Sequence, residues 1–167
     1  MLDGWHDFYA ILAMAAGTLI GAMFIVASIG GRNMTRARAA AVASFVTPTV
    51  IHLSVVLLAS ALLVVPSLAR QTLGAIGVIG GLVGLAVATH IFWQVLHSKV
   101  DRVDRLWYGG LPLLGYVGIV GAGAMILAQT LGGFETLAVA FGLLIVASIH
   151  NAWDLIIYLV GKDRSEP

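Results

Sequence analysis

Five consecutive residues, His150-Asn151-Ala152-Trp153-Asp154, place an imidazole, a carboxamide, an indole and a carboxylate inside an otherwise apolar run from 134 to 160. Asp154 is the one acidic residue that falls well inside an apolar segment of this chain. A carboxylate at that depth must be paired, protonated or hydrated, because an unanswered charge in hydrocarbon is costly. His150 and Asp154 are an i,i+4 pair and so share one face of a helix. An imidazole beside a carboxylate can relay a proton, hold a metal or fix a helix contact. The remaining histidines are His6, His52, His90 and His97, and the chain has no cysteine. Disulfides, iron–sulfur clusters, thiolate metal sites and covalently attached c-type haem are thereby excluded, and imidazole is the only strong nitrogen ligand left.

The composition identifies the solvent around these groups. Of 167 residues, 60% are hydrophobic and 10% charged, and the mean hydropathy is +1.00. Soluble chains carry roughly 25% charged residues, so lipid is the expected environment. A net charge of +1 excludes a nucleic-acid binder acting through bulk positive charge. There is no low-complexity tract, linker or fixed-period repeat, and residues 1–167 read as a single transmembrane helical domain. The first seven residues carry Asp3 and Asp7 but no basic residue, unlike a secretory leader, so the run that follows is expected to be retained as a span.

The fold expected is all-α: an integral membrane bundle of five transmembrane helices at about 8–29, 39–65, 73–96, 106–129 and 134–160. At 1.5 Å per residue each run crosses roughly 30 Å of hydrocarbon. Gly17 and Gly21 form a GxxxG spacing in the first run. In the second, Pro48 lies between Thr47 and Thr49, with His52 one turn on. Proline cannot donate to the carbonyl four residues back, so a kink is expected there. The third run is rich in glycine (Gly74, Gly77, Gly80, Gly81, Gly84), as is the fourth (Gly115, Gly118, Gly121, Gly123). Such faces predict close helix contact, within the chain or with a membrane-protein partner or second copy. His90, Gln94 and His97 fall at i+4 and i+3 steps and form one polar stripe on the third helix. Trp107 and Tyr108 stand where the chain re-enters the headgroup region, and Pro112 and Tyr116 follow in the fourth run.

Charge bias sets the orientation. Arg32, Arg36, Arg38, Lys99, Arg102, Arg105, Lys162 and Arg164 fall on one side of the membrane and Arg70 on the other. The positive-inside rule then places the N-terminus outside and the C-terminus in the cytoplasm. With that orientation His52 and His150 lie near the midplane. His90 and Asp154 share a level roughly 10 Å from the cytoplasmic surface. Depth therefore allows one intramembrane polar cluster: His52, His90, Gln94, Tyr116, His150, Asn151 and Asp154.

Several chemistries fit such a cluster. In the first, the polar groups satisfy one another or a snorkelling Arg102 or Arg105 and fix helix packing, as in an accessory or assembly component without enzymatic activity. In the second, histidine and aspartate handle protons, although the outer half offers almost no polar residue to complete a path. In the third, His52, His90 and His150 are candidate ligands of a b-type haem, or line a quinone site. A metal site from His90, His150 and Asp154 lacks any HExxH-like arrangement, so no metal ligand and no catalytic residue is assigned. At the other pole, Trp5, His6, Asp7 and Tyr9 read as an aromatic interfacial anchor, and His97 as a headgroup-level residue.

The residues Thr47-Pro48-Thr49 with His52, then Asp104, Trp107, Leu111-Pro112 and Tyr116, then His150-Asn151-Ala152-Trp153-Asp154, carry a resemblance. From the second span to the fifth the chain resembles a group of small bacterial multi-pass membrane proteins without known activity. The resemblance implies a bacterial inner-membrane setting and brings no cofactor, partner or residue role. The chain does not resemble the rhodopsins, since no apolar span holds a lysine for retinal.

Overall fold

A computed structural model describes residues 3–30, 36–97 and 101–163, with side chains placed for 4–28, 42–43, 46–97 and 101–159. Each apolar run forms one long helix: α1 (Asp3–Gly30), α2 (Arg36–Leu63), α3 (Arg70–His97), α4 (Arg102–Leu127) and α5 (Gly133–Asp163). All five are long and apolar enough to cross a membrane. A backbone without water must satisfy its own N–H and C=O groups, and a helix does so within one segment. Most ends reach a few residues beyond the apolar runs, into polar flanks. α4 starts at Arg102 because the side chain of Asp101 accepts the Arg102 N–H at 2.7 Å and caps the first turn. α2 continues through Pro48 as a single helix. Of the basic residues that set the expected orientation, Arg32, Lys99 and Arg164 lie outside the described residues, as do the side chains of Arg36, Arg38 and Lys162.

The spatial order is α1–α2–α5–α4–α3, so the last helix stands in the middle. α1 and α2 form one antiparallel hairpin, α3 and α4 another, and α5 packs between α2 and α4. The consecutive helices α2 and α3 scarcely touch. The α3–α4 seam is the most extensive and is made by glycine. A Cβ on Gly123 would come within 2.6 Å of the Val78 nitrogen, and one on Gly81 within 2.8 Å of Val120. α4 meets α5 in the same manner, with Gly115 against Leu144 and Gly118 against Ala140. The GxxxG pair on α1 makes no such seam: Gly17 only grazes Leu57 at 3.8 Å, and Gly21 faces open space. The α4–α5 turn is short because Gln129 (φ 55°) and Gly132 (φ 86°) adopt left-handed backbone.

Two apolar cores result. The larger runs through Val56, Tyr116, Ile119, Phe141 and Leu144 and reaches Tyr9. The smaller gathers Met23, Val42 and Leu155. Between their levels on α2 and α5 lie the buried polar residues Thr49, His52, Ser148 and Asn151. Tyr9 departs from the interfacial anchor expected of it. It is 1% exposed, its hydroxyl donates to the Phe134 carbonyl at 2.7 Å, and its ring meets Phe141 edge-on. A buried phenol needs such an acceptor, and the first turn of α5 supplies one. His6 and Asp7 do remain at the exposed end of α1, bonded to each other at 3.1 Å.

Candidate functional site

The polar residues separate into three places, and the helix order explains why. α4 stands between α3 and α5, so His90 and Asp154 share a level without sharing a surface. His90 is exposed on α3, where its Nε2 accepts from the Gln94 amide at 2.9 Å. His97, also exposed, lies 2.8 Å from the Trp93 carbonyl through Nδ1. The stripe predicted on α3 therefore satisfies itself on the outer face of the bundle.

The second place is the His52–Tyr116 pair. His52 of α2 is 1% exposed, and its Nδ1 lies 2.9 Å from the Tyr116 hydroxyl on α4. α2 and α4 do not pack side by side, so these two rings reach across the gap between the hairpins. Gly84 of α3 makes room for the phenol, since a Cβ there would fall 2.1 Å from the Tyr116 ring. With the phenol donating to Nδ1, the imidazole carries its hydrogen on Nε2. That nitrogen has no hydrogen-bond partner among the described residues, and neither has the side-chain oxygen of Asn151 or of Ser148.

The third place holds the opening motif. Asp154 accepts a hydrogen bond from the Tyr108 hydroxyl of α4. His150 Nδ1 lies 3.2 Å from the same carboxylate, without the alignment of a hydrogen bond. The imidazole is covered by the Trp107 ring, stacked at 4.3 Å and 4° from parallel, while Tyr108 meets it edge-on. Both ionisable side chains stay about a quarter exposed (His150 28%, Asp154 25%), so the site opens to the bundle's surface.

No family model, curated protein or solved structure matches this chain.

Tyr108 and Trp107 are site residues that the sequence placed only at the headgroup level. They turn toward α5 because residues Leu106–Gly110 form a π turn. Leu111 N–H bonds to the Leu106 carbonyl, five residues back rather than four. The cause lies one turn on: Pro112 has no N–H for the Tyr108 carbonyl, and its ring presses on that group. Gly109 lets the wider turn settle against α3, where a Cβ would come within 2.3 Å of the Phe92 ring. Single π turns inside long helices recur at functional sites because they re-aim side chains. The signal available in the sequence was Pro112, four residues after a tyrosine at the depth of Asp154.

Among the described residues no three His, Asp or Glu side chains converge as a metal site would require. The arrangement offers instead two inter-helix clasps: a carboxylate held by a phenol, and an imidazole held by a phenol.

Proposed function

We propose that the chain is an accessory or assembly component of the bacterial inner membrane, with its N-terminus outside and its C-terminus in the cytoplasm. Its intramembrane polar residues act as clasps between helices. The observation that carries this reading is the bonding of Asp154 to Tyr108 and of His52 to Tyr116, each from one helix to another. Groups spent on holding helices together need no substrate to explain their presence in lipid. Glycines that open outward, Gly80 on α3 and Gly121 on α4, leave faces on which another helix can come close. The charge asymmetry supports the orientation.

The haem alternative needs two imidazoles facing one space. Here His52 points to Tyr116, His150 lies under Trp107, and His90 is on the outer face of α3. An absorption spectrum of the purified protein tests the point: a Soret band lost in His52→Ala or His150→Ala overturns the clasp reading. Proton handling fails if Asp154→Asn leaves the pH response of reconstituted vesicles unchanged. Reporter fusions that place the C-terminus outside would overturn the orientation. Because the chain has no cysteine, Gly80→Cys supplies a single thiol. Its cross-linking in membranes, to a second copy or to another protein, is the expected mark of assembly.

A further inference from the structure

α3 ends the row of helices and packs extensively on α4 alone, so its opposite face looks outward. Ile79, Val83, Ala86, His90 and Gln94 are exposed on that face. α1, at the other end of the row, also has an outward face, with the exposed hydroxyls of Thr18 and Ser28 on it. Each of these donates to a carbonyl of its own helix, at 2.9 and 2.7 Å, and needs nothing further. Thr89 of α3 does the same with Leu85 at 2.7 Å.

A carboxamide cannot be satisfied in that way, because it carries two N–H donors and a carbonyl. Gln94 gives one N–H to His90 Nε2 at 2.9 Å, its one side-chain hydrogen bond among the described residues. That bond also fixes its direction. His90 lies one turn back toward the middle of α3, so the carboxamide reaches into the apolar run and not out to the headgroups. Its second N–H and its carbonyl are left on an exposed face inside the span, where an unmade hydrogen bond is expensive.

Symmetry narrows the occupant. Copies of one chain enter the bilayer the same way round, so a two-fold axis along the membrane normal sets each level of α3 against the same level of its mate. Gln94 then meets its own symmetry mate, and a carboxamide is its own complement. The second N–H of each donates to the carbonyl of the other. Val83 and Ala86 continue the same face, and the small side chain of Ala86, one turn from His90, admits a close backbone. A lipid tail offers no such pairing, and a foreign helix would need a polar group at that one level. We propose that the outward face of α3 pairs with the same face of a second copy, joined at Gln94 by reciprocal carboxamide hydrogen bonds. This names a partner for the assembly reading and rests on it.

The absence of cysteine makes the test direct. Ala86→Cys in native membranes, oxidised with copper phenanthroline, should run at twice the mass of the chain. Ala22→Cys, exposed on α1, should stay at the single mass. Energy transfer between labelled copies in phosphatidylcholine vesicles should need about tenfold less lipid to dilute away in Gln94→Leu, the size of effect expected from two inter-helix hydrogen bonds. The helical circular dichroism of that variant should match the wild type. Wild-type association in Gln94→Leu overturns the proposal. An Ala86→Cys adduct with a different protein overturns the self-pairing and leaves the assembly reading standing. No product from Ala86→Cys or from Gly80→Cys overturns both.

Discussion

Asp154 takes its hydrogen bond from a neutral phenol rather than from an arginine of the 101–105 segment. A phenol can answer the carboxylate without bringing a second charge into lipid, and it carries few rotamers to immobilise. Inter-helix hydrogen bonds in membranes average about 0.6 kcal/mol and reach about 1.7. The Tyr108–Asp154 bond is expected within that range. A double-mutant cycle of Tyr108→Phe with Asp154→Asn should therefore give a coupling of roughly 1 kcal/mol in reversible unfolding. Strictly additive losses would show that the two side chains do not depend on each other. The place of Asp154 inside the last apolar run was legible from sequence, but its partner was not. Tyr108 follows Trp107 at a helix start, a pattern that also describes an ordinary headgroup belt, and only the π turn distinguishes the two.

At the scale of elements, the π turn and the glycine seams decide which side chains meet. Pro112→Ala restores an N–H for the Tyr108 carbonyl and should let residues 106–110 return to α-helical winding. Trp107 and Tyr108 then rotate away from α5. The Tyr108–Asp154 coupling should fall toward zero in that background; a coupling that survives would mean that the π turn does not place Tyr108. Gly84→Ala puts a methyl 2.1 Å from the Tyr116 ring and should cost about 1–3 kcal/mol, as overpacking commonly does. Gly80→Ala, only four residues away in sequence, meets nothing within 4 Å and should leave the unfolding midpoint unchanged. Equal effects at Gly80 and Gly84 would contradict the seam. The glycine content of α3 and α4 announced close packing from sequence alone. Which glycines face inward was not legible, because the smallest side chain carries no amphipathic signal of its own.

For the whole molecule, length and hydropathy were enough to count the spans and to place most ends within a few residues. Neighbourhood was harder. The expectation that His90, His150 and Asp154 meet required α3 to lie beside α5, and depth says nothing about lateral order. α4 takes that position because its glycines admit α3 on one side, through Gly123, and α5 on the other, through Gly115 and Gly118. The two hairpins are then joined chiefly by α5 and by the His52–Tyr116 bond. A protease site placed in the loop after Leu63 tests this. After cleavage, the fragments of the full chain should co-purify, whereas those of a chain ending at Gly132 should separate. Fragments that stay together without α5 would contradict the central role of that helix.

The middle position of the final helix also bears on how the protein is made. A ribosome releases α1–α2 and α3–α4 before α5 exists, so the two pairs must wait in the bilayer without their common neighbour. His52 can find Tyr116 during that wait, but Tyr108 has no carboxylate to bond until the last span arrives. Completion of the bundle is thereby tied to synthesis of α5, and a product cut short before it would leave the inner faces of both pairs open to whatever inspects unfinished membrane proteins.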